Sequence, residues 1–200
     1  EGQLLPEVRK LMFETDRWDE KTKYPWKEIK RIWMQHWDQT KAILLDKSPP
    51  NIIQVHAIKK EFKNPLFICM VRNPYAQAEG IIRRNHATAE YAAHFAIKCL
   101  KYQKQNIEQK NNLLFFSYEE LCENTENTLK KVANFIPEIN DINPHALFNA
   151  HNFKTKTKMG ITNLNDEKIS KLSTEDLNGI NTIFKKNIDL LNYFNYSIIN

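Results

Sequence analysis

Three short apolar runs, at residues 42–45, 66–71 and 113–117, each close on a polar turn and give way to a helical pattern. Continuous apolar runs of this length, bounded by turn residues, predict strands buried on both faces. Strands separated by helices of a dozen residues or more need crossover connections, and these favour a parallel sheet. The expected architecture is therefore an α/β fold of three layers, α/β/α, with a mostly parallel central sheet. Helical spacing of apolar residues predicts helices over residues 4–13, 25–40, 52–62, 75–84, 88–109 and 125–136. Ser173-Thr174-Glu175-Asp176 has the form of a capping start for a long closing helix that carries Leu177, Ile180, Ile183, Phe184 and Ile188. With 200 residues, the chain is expected to make a single domain over 1–200.

Composition removes several classes of function. Only four glycines occur, at Gly2, Gly80, Gly160 and Gly179, so neither common glycine-rich phosphate loop can be written. No run of about 18 apolar residues is present, and no membrane segment is expected. Cys69, Cys99 and Cys122 show neither CxxC spacing nor an even count. This argues against a disulfide framework or a structural zinc site and suits a reducing compartment such as the cytoplasm. The 29 basic residues exceed the 24 acidic ones by five, and the two signs are mixed along the chain. That balance suits a polyanion, an anionic cofactor or merely solubility and by itself chooses none of them, whereas a nucleic-acid binder would call for a denser basic face.

In open α/β sheets, ligands bind beyond the carboxyl ends of the strands, where loops and helix N-termini converge. The first strand end presents Lys47 and Ser48, the second Arg72 and Asn73, and the third Ser117, Tyr118 and Glu119. Two cations, hydroxyls and an aromatic ring match a phosphorylated nucleotide, although polar residues at strand ends also serve as ordinary loop caps. Arg72 directly follows an apolar run and precedes Asn73-Pro74 at an expected helix start, which favours an anion.

Asp46-Lys47-Ser48-Pro49, Val71-Arg72-Asn73-Pro74 and Tyr118-Glu119-Glu120-Leu121 stand in an order and at distances that resemble the PAPS-dependent sulfotransferase family. The resemblance spans roughly residues 1–136 and touches the tail at Tyr193-Phe194-Asn195-Tyr196. It implies a fold similar to the P-loop nucleotide-binding proteins. The implied reaction is metal-free transfer of a sulfuryl group from 3′-phosphoadenosine 5′-phosphosulfate to a hydroxyl or amine of a small-molecule or saccharide acceptor, leaving 3′,5′-adenosine bisphosphate. It further implies that Arg72 binds the 3′-phosphate, that Tyr118 meets the adenine, and that Lys47 stabilises charge on the bridging oxygen. Ser48 and Asn73 would join the donor site. Where the family has a serine eight residues after this arginine, the chain has Gly80. The family's opening glycine-containing loop has no counterpart here, so the domain is expected to be incomplete at its N-terminus. A glutamate in some branches corresponds to Glu1, a candidate general base, with His36 and His56 as chemical alternatives.

Other readings compete. A phosphotransferase on the same fold would need a magnesium-binding acid, and Asp46 is the nearest candidate. A non-enzymatic binder of nucleic acid or sulfated polymer ranks behind both. Trp26, Trp33 and Trp37 share one helical face, as either core or acceptor pocket, and Lys154, Lys156 and Lys158 ahead of Gly160 are either donor-loop cations or a solvated run. A Golgi lumen behind an upstream anchor is the alternative compartment. Oligomeric state has no signature in the sequence.

Overall fold

The computed structural model describes residues 2–12, 16–109, 112–149 and 158–199. The chain divides into two compact units: residues up to Phe67 together with Gln109–Leu113, and Ile68–Glu108 together with the residues from Leu114 onward.

The first unit is helical. α1 (Pro6–Met12), α2 (Trp26–His36) and α3 (Val55–Glu61) pack their apolar faces into one cluster. Pro25 precedes α2, and the spacing of Trp26, Ile29, Ile32 and Trp33 turns all four inward to full burial. Trp33 meets Trp26 edge-on at 5.9 Å and Phe62 at 5.9 Å, and Trp26 donates to the Gln54 amide oxygen at 3.2 Å. Trp26 and Trp33 of the tryptophan stripe are therefore core, and Trp37 packs against them partly buried. Each buried aromatic contributes on the order of 2–3 kcal/mol that a pocket wall would forgo.

Residues 42–45 form no strand, contrary to the sequence pattern. No backbone pairs with them among the described residues, and Leu45 is 75% exposed. An apolar run becomes a strand only where a neighbour completes its hydrogen bonds. Beyond it, Pro49–Ile53 is a 3₁₀ turn that leads into α3.

The second unit is built around β1 (Phe67–Val71) and β2 (Leu113–Ser117), which pair in parallel; the first residue of each belongs to the first unit. Between them run α4 (Pro74–Asn85) and α5 (Ala89–Glu108), the crossover that parallel pairing requires. Cys69 and Val71 are buried, while Ile68 and Met70 alternate with them at 45% exposure each, so one face of this strand is open among the described residues. The predicted strand is right in place and only half right in burial.

After β2, α6 (Tyr118–Glu123) and α7 (Thr125–Phe135) follow almost without a break. A two-residue antiparallel pair, β3 (Phe148–Asn149) with β4 (Lys158–Met159), precedes α8 (Asn165–Ile169), α9 (Thr174–Lys185) and α10 (Ile188–Tyr193). The Ser173–Asp176 capping box forms with both of its hydrogen bonds. The single closing helix of the sequence reading is instead two, interrupted at Lys186–Asn187.

The core of this unit joins Val71, Tyr75, the alanine face of α5, and Ile180, Phe184 and Leu191. Small side chains at Ala89, Ala92, Ala93 and Ala96 let α9 approach closely. A Cβ at Gly179 would lie 2.9 Å from the mobile carboxylate end of Glu90 and 3.0 Å from the Ala89 Cβ, so the glycine matches the close approach of α9 to α5. Tyr75 is fully buried, meets Phe184 edge-on at 4.9 Å, and accepts from the Ile199 N–H at 3.1 Å. No helix among the described residues is long and apolar enough to cross a membrane.

Candidate functional site

In the first unit, the turn after residues 42–45 is organised by Asp46. Its carboxylate accepts from the Gly2 N–H, from Ser48 Oγ at 3.3 Å and from Asn51 Nδ2 at 2.8 Å. Asn51 in turn accepts from the Gln3 amide at 2.7 Å, and the Gln3 oxygen accepts from Arg17 at 3.1 Å. Gly2 must be glycine at this point, since a Cβ would fall 2.5 Å from Trp33 Nε1. Ser48 is buried and its hydroxyl also receives the Gln3 N–H at 3.4 Å, so it serves the turn. Lys47 projects from the turn as an exposed residue. A rigid turn that presents one cation fits the role of an electrostatic group held in place in advance.

In the second unit, Arg72 leaves the end of β1 and lies over the Tyr118 ring, with its guanidinium carbon 4.3 Å from the ring centroid. Stacking of this kind contributes on the order of 0.5–2 kcal/mol and fixes the plane of the guanidinium. Arg72 Nε donates to Asn165 Oδ1 at 2.7 Å. Its terminal nitrogens have no acceptor among the described residues, and Nη2 is buried. A buried donor without a partner costs on the order of 1–3 kcal/mol, and an anion is the acceptor that a guanidinium fork suits best.

Glu119 holds the surrounding segments together. One oxygen accepts from the Asn73 N–H at 2.8 Å and from Asn165 Nδ2; the other accepts from the Tyr196 hydroxyl at 2.9 Å. Burial, reinforced by the adjacent Glu119 charge, pushes the Tyr196 phenol far above its ordinary range, so it acts as a donor at any physiological pH. Asn73 uses its side chain to cap α4 by accepting the Tyr75 N–H at 2.9 Å, next to Pro74 at the first helical position. Tyr118 donates through its hydroxyl to the Thr162 carbonyl at 2.6 Å and accepts from the Leu164 N–H at 3.1 Å. Burial raises its pKa as well. The hydroxyl is thus committed to backbone, and the ring carries the contact with Arg72.

Of the residues singled out from sequence, Arg72, Asn73 and Tyr118 come together in the second unit, while Lys47 and Ser48 share the turn of the first. Gly80 lies on α4, where an added Cβ would find ordinary contact with Arg84 at 3.6 Å, so its lack of a hydroxyl is not forced by space. Arg83 pairs with buried Glu79 at 2.8 Å, and Arg84 donates to the Gly80 carbonyl at 2.8 Å. His36 lies 3.6 Å from Glu7, and His56 is exposed on α3. Glu1, Lys154 and Lys156 lie outside the described residues; Lys158 is exposed in β4. Asn165 and Tyr196 were missed by the sequence reading. The one local sign at Asn165 is a cluster of asparagines around it, and the one at Tyr196 is its place after the closing helix.

The chain belongs to the sulfotransferase family, whose profile matches residues 7–138. That span includes the Asp46–Ser48 turn, Arg72 and Tyr118. Comparison with curated proteins and with solved structures returns no match. Family membership supports sulfotransfer as the general activity.

Proposed function

We propose that the protein is a sulfotransferase whose donor is 3′-phosphoadenosine 5′-phosphosulfate and whose acceptor is a hydroxyl or amine of a small molecule or saccharide. The observation that carries this reading is the Arg72 guanidinium, stacked on Tyr118 and anchored through Nε, with both terminal nitrogens unpaired among the described residues. An orphaned fork of this kind fits a phosphate, and the 3′-phosphate separates this donor from ordinary nucleotides.

When bound, the donor supplies a sulfuryl group whose departure leaves negative charge on the phosphate oxygen. Arg72 binds and orients through charge-assisted hydrogen bonds. The Tyr118 ring fixes the arginine plane and offers an apolar surface for a base. The part of Lys47 rests on its Asp46-Lys47-Ser48-Pro49 motif: a side-chain cation that stabilises the developing charge. Asp46 is the acid that a magnesium-dependent phosphotransferase would have to use, and its oxygens already serve three donors, two from the turn and the Gly2 N–H. This favours sulfuryl transfer over the kinase-like alternative. The three-layer, P-loop-like arrangement of the family is part of the same proposal.

Calorimetry with 3′,5′-adenosine bisphosphate, compared with ATP and magnesium, tests the reading. The bisphosphate is expected to bind more tightly, and Arg72→Ala is expected to weaken it by about 10- to 100-fold, the worth of hydrogen bonds to a charged group. Tighter binding of ATP, or an unchanged affinity in Arg72→Ala, overturns it.

A further inference from the structure

The hydrogen bonds around Arg72 have an order that follows from donor chemistry. Arginine carries donors only, so the Asn165 amide must turn its oxygen toward Nε and its nitrogen toward an acceptor. That acceptor is Glu119. Asn165 itself is only 5% exposed, and its N–H is held by Asn163 Oδ1 at 3.0 Å, so the amide is fixed from its backbone outward. It stands between the one cation and the one carboxylate of this cluster and satisfies both without letting them pair.

From this arrangement we infer that Asn165 is a positioning residue for anion recognition by Arg72, acting as a neutral spacer that holds Nε and keeps Glu119 off the terminal nitrogens. The inference rests on the reading of Arg72 as the 3′-phosphate ligand. A direct pair between Arg72 and Glu119 would take the bidentate form that such pairs favour, and would occupy the nitrogens that an anion needs. Asn165 prevents this while leaving Glu119 enough donors from Asn73 and Tyr196 to remain where it is.

The role separates from simple support of the fold by which nucleotide is affected and by what restores binding. The full chain is titrated calorimetrically with 3′,5′-adenosine bisphosphate and with 5′-adenosine monophosphate. Asn165→Ala is expected to weaken the bisphosphate about tenfold and the monophosphate less than about twofold. Glu119→Gln in the Asn165→Ala background is expected to restore most of the loss, because the competing charge is gone while an acceptor for Asn73 remains. Asn165→Asp, which conserves shape, is expected to lower the bisphosphate selectively as well, since it sets a second carboxylate against the arginine. Equal losses for both nucleotides, an unaffected bisphosphate, or a double variant weaker than Asn165→Ala alone each overturn the inference. If Arg72→Ala weakens the bisphosphate and the Asn165 variants do not, only the spacer role fails. If the wild type does not distinguish the two nucleotides, the donor reading fails and takes the spacer role with it.

Discussion

Around Asp46, in the first unit, a carboxylate gathers donors mainly from the turn that follows it, two and five residues on, with the Gly2 N–H as its one distant partner. Around Glu119, in the second, a carboxylate gathers donors 46 and 77 residues away, from the start of α4, the start of α8 and the end of the chain. Both sit beside a cation of the family's motifs, and they treat it differently. Asp46 stiffens the turn from which its neighbour Lys47 projects, whereas Glu119 is kept apart from Arg72 by an interposed amide. A local turn can present a charge with few partners. A guanidinium whose terminal nitrogens must stay unpaired next to a carboxylate needs a tertiary scaffold to hold the two apart.

The sharpest separation of the two regions is kinetic. Lys47→Ala is expected to lower turnover by about 10²- to 10³-fold, as loss of one transition-state charge contact does, with a smaller change in bisphosphate affinity. Steady-state kinetics beside calorimetry decides this: a Lys47 variant that loses affinity as Arg72→Ala does, with turnover intact, erases the distinction.

Stability comes next. Glu119→Ala leaves the Asn73 N–H, Asn165 and Tyr196 without an acceptor and loosens three remote segments at once. It is expected to cost about 2–4 kcal/mol, against about 1–2 kcal/mol for Asp46→Ala. Urea unfolding at an unchanged m-value measures both, and equal midpoints would mean that the reach of the network does not matter.

The smallest effect concerns pH. All three cysteines lie in the second unit and none forms a disulfide. Burial pushes the Cys69 thiol up to about 12 and the Cys99 thiol up to about 11. The unfolded thiols ionise near pH 9 while the folded ones keep their protons. The stability these groups contribute is therefore complete below about pH 9 and is lost as pH rises toward 11–12. Urea midpoints between pH 7.5 and 10.5 should fall less in Cys69→Ala than in the wild type; parallel declines would assign the loss to other groups.

Much of this was legible from local pattern. β1, β2, α2, α4, α5, α7 and the capping box at Ser173 lie where apolar spacing and cap chemistry put them, because those signals act over a few residues. The start of α6 was legible too and went unread: Ser117 accepts from the Glu120 N–H at 2.9 Å, the Ser-x-x-Glu form of a helix start placed directly on a strand end. Residues 42–45 carry the composition of a strand, but composition says nothing about whether a partner stands beside them.

Sequence by itself determined the residue types at the strand ends, the helix caps and the family to which the chain belongs, since each is written in a contiguous stretch. Only the tertiary structure decided that Trp26 and Trp33 are core, that Tyr118 spends its hydroxyl on backbone, and that Asn165 meets Arg72 across 93 residues of chain. Pairings at such separation depend on how the intervening α4, α5 and α7 pack, and side-chain hydrogen bonds follow that packing without leaving a local trace.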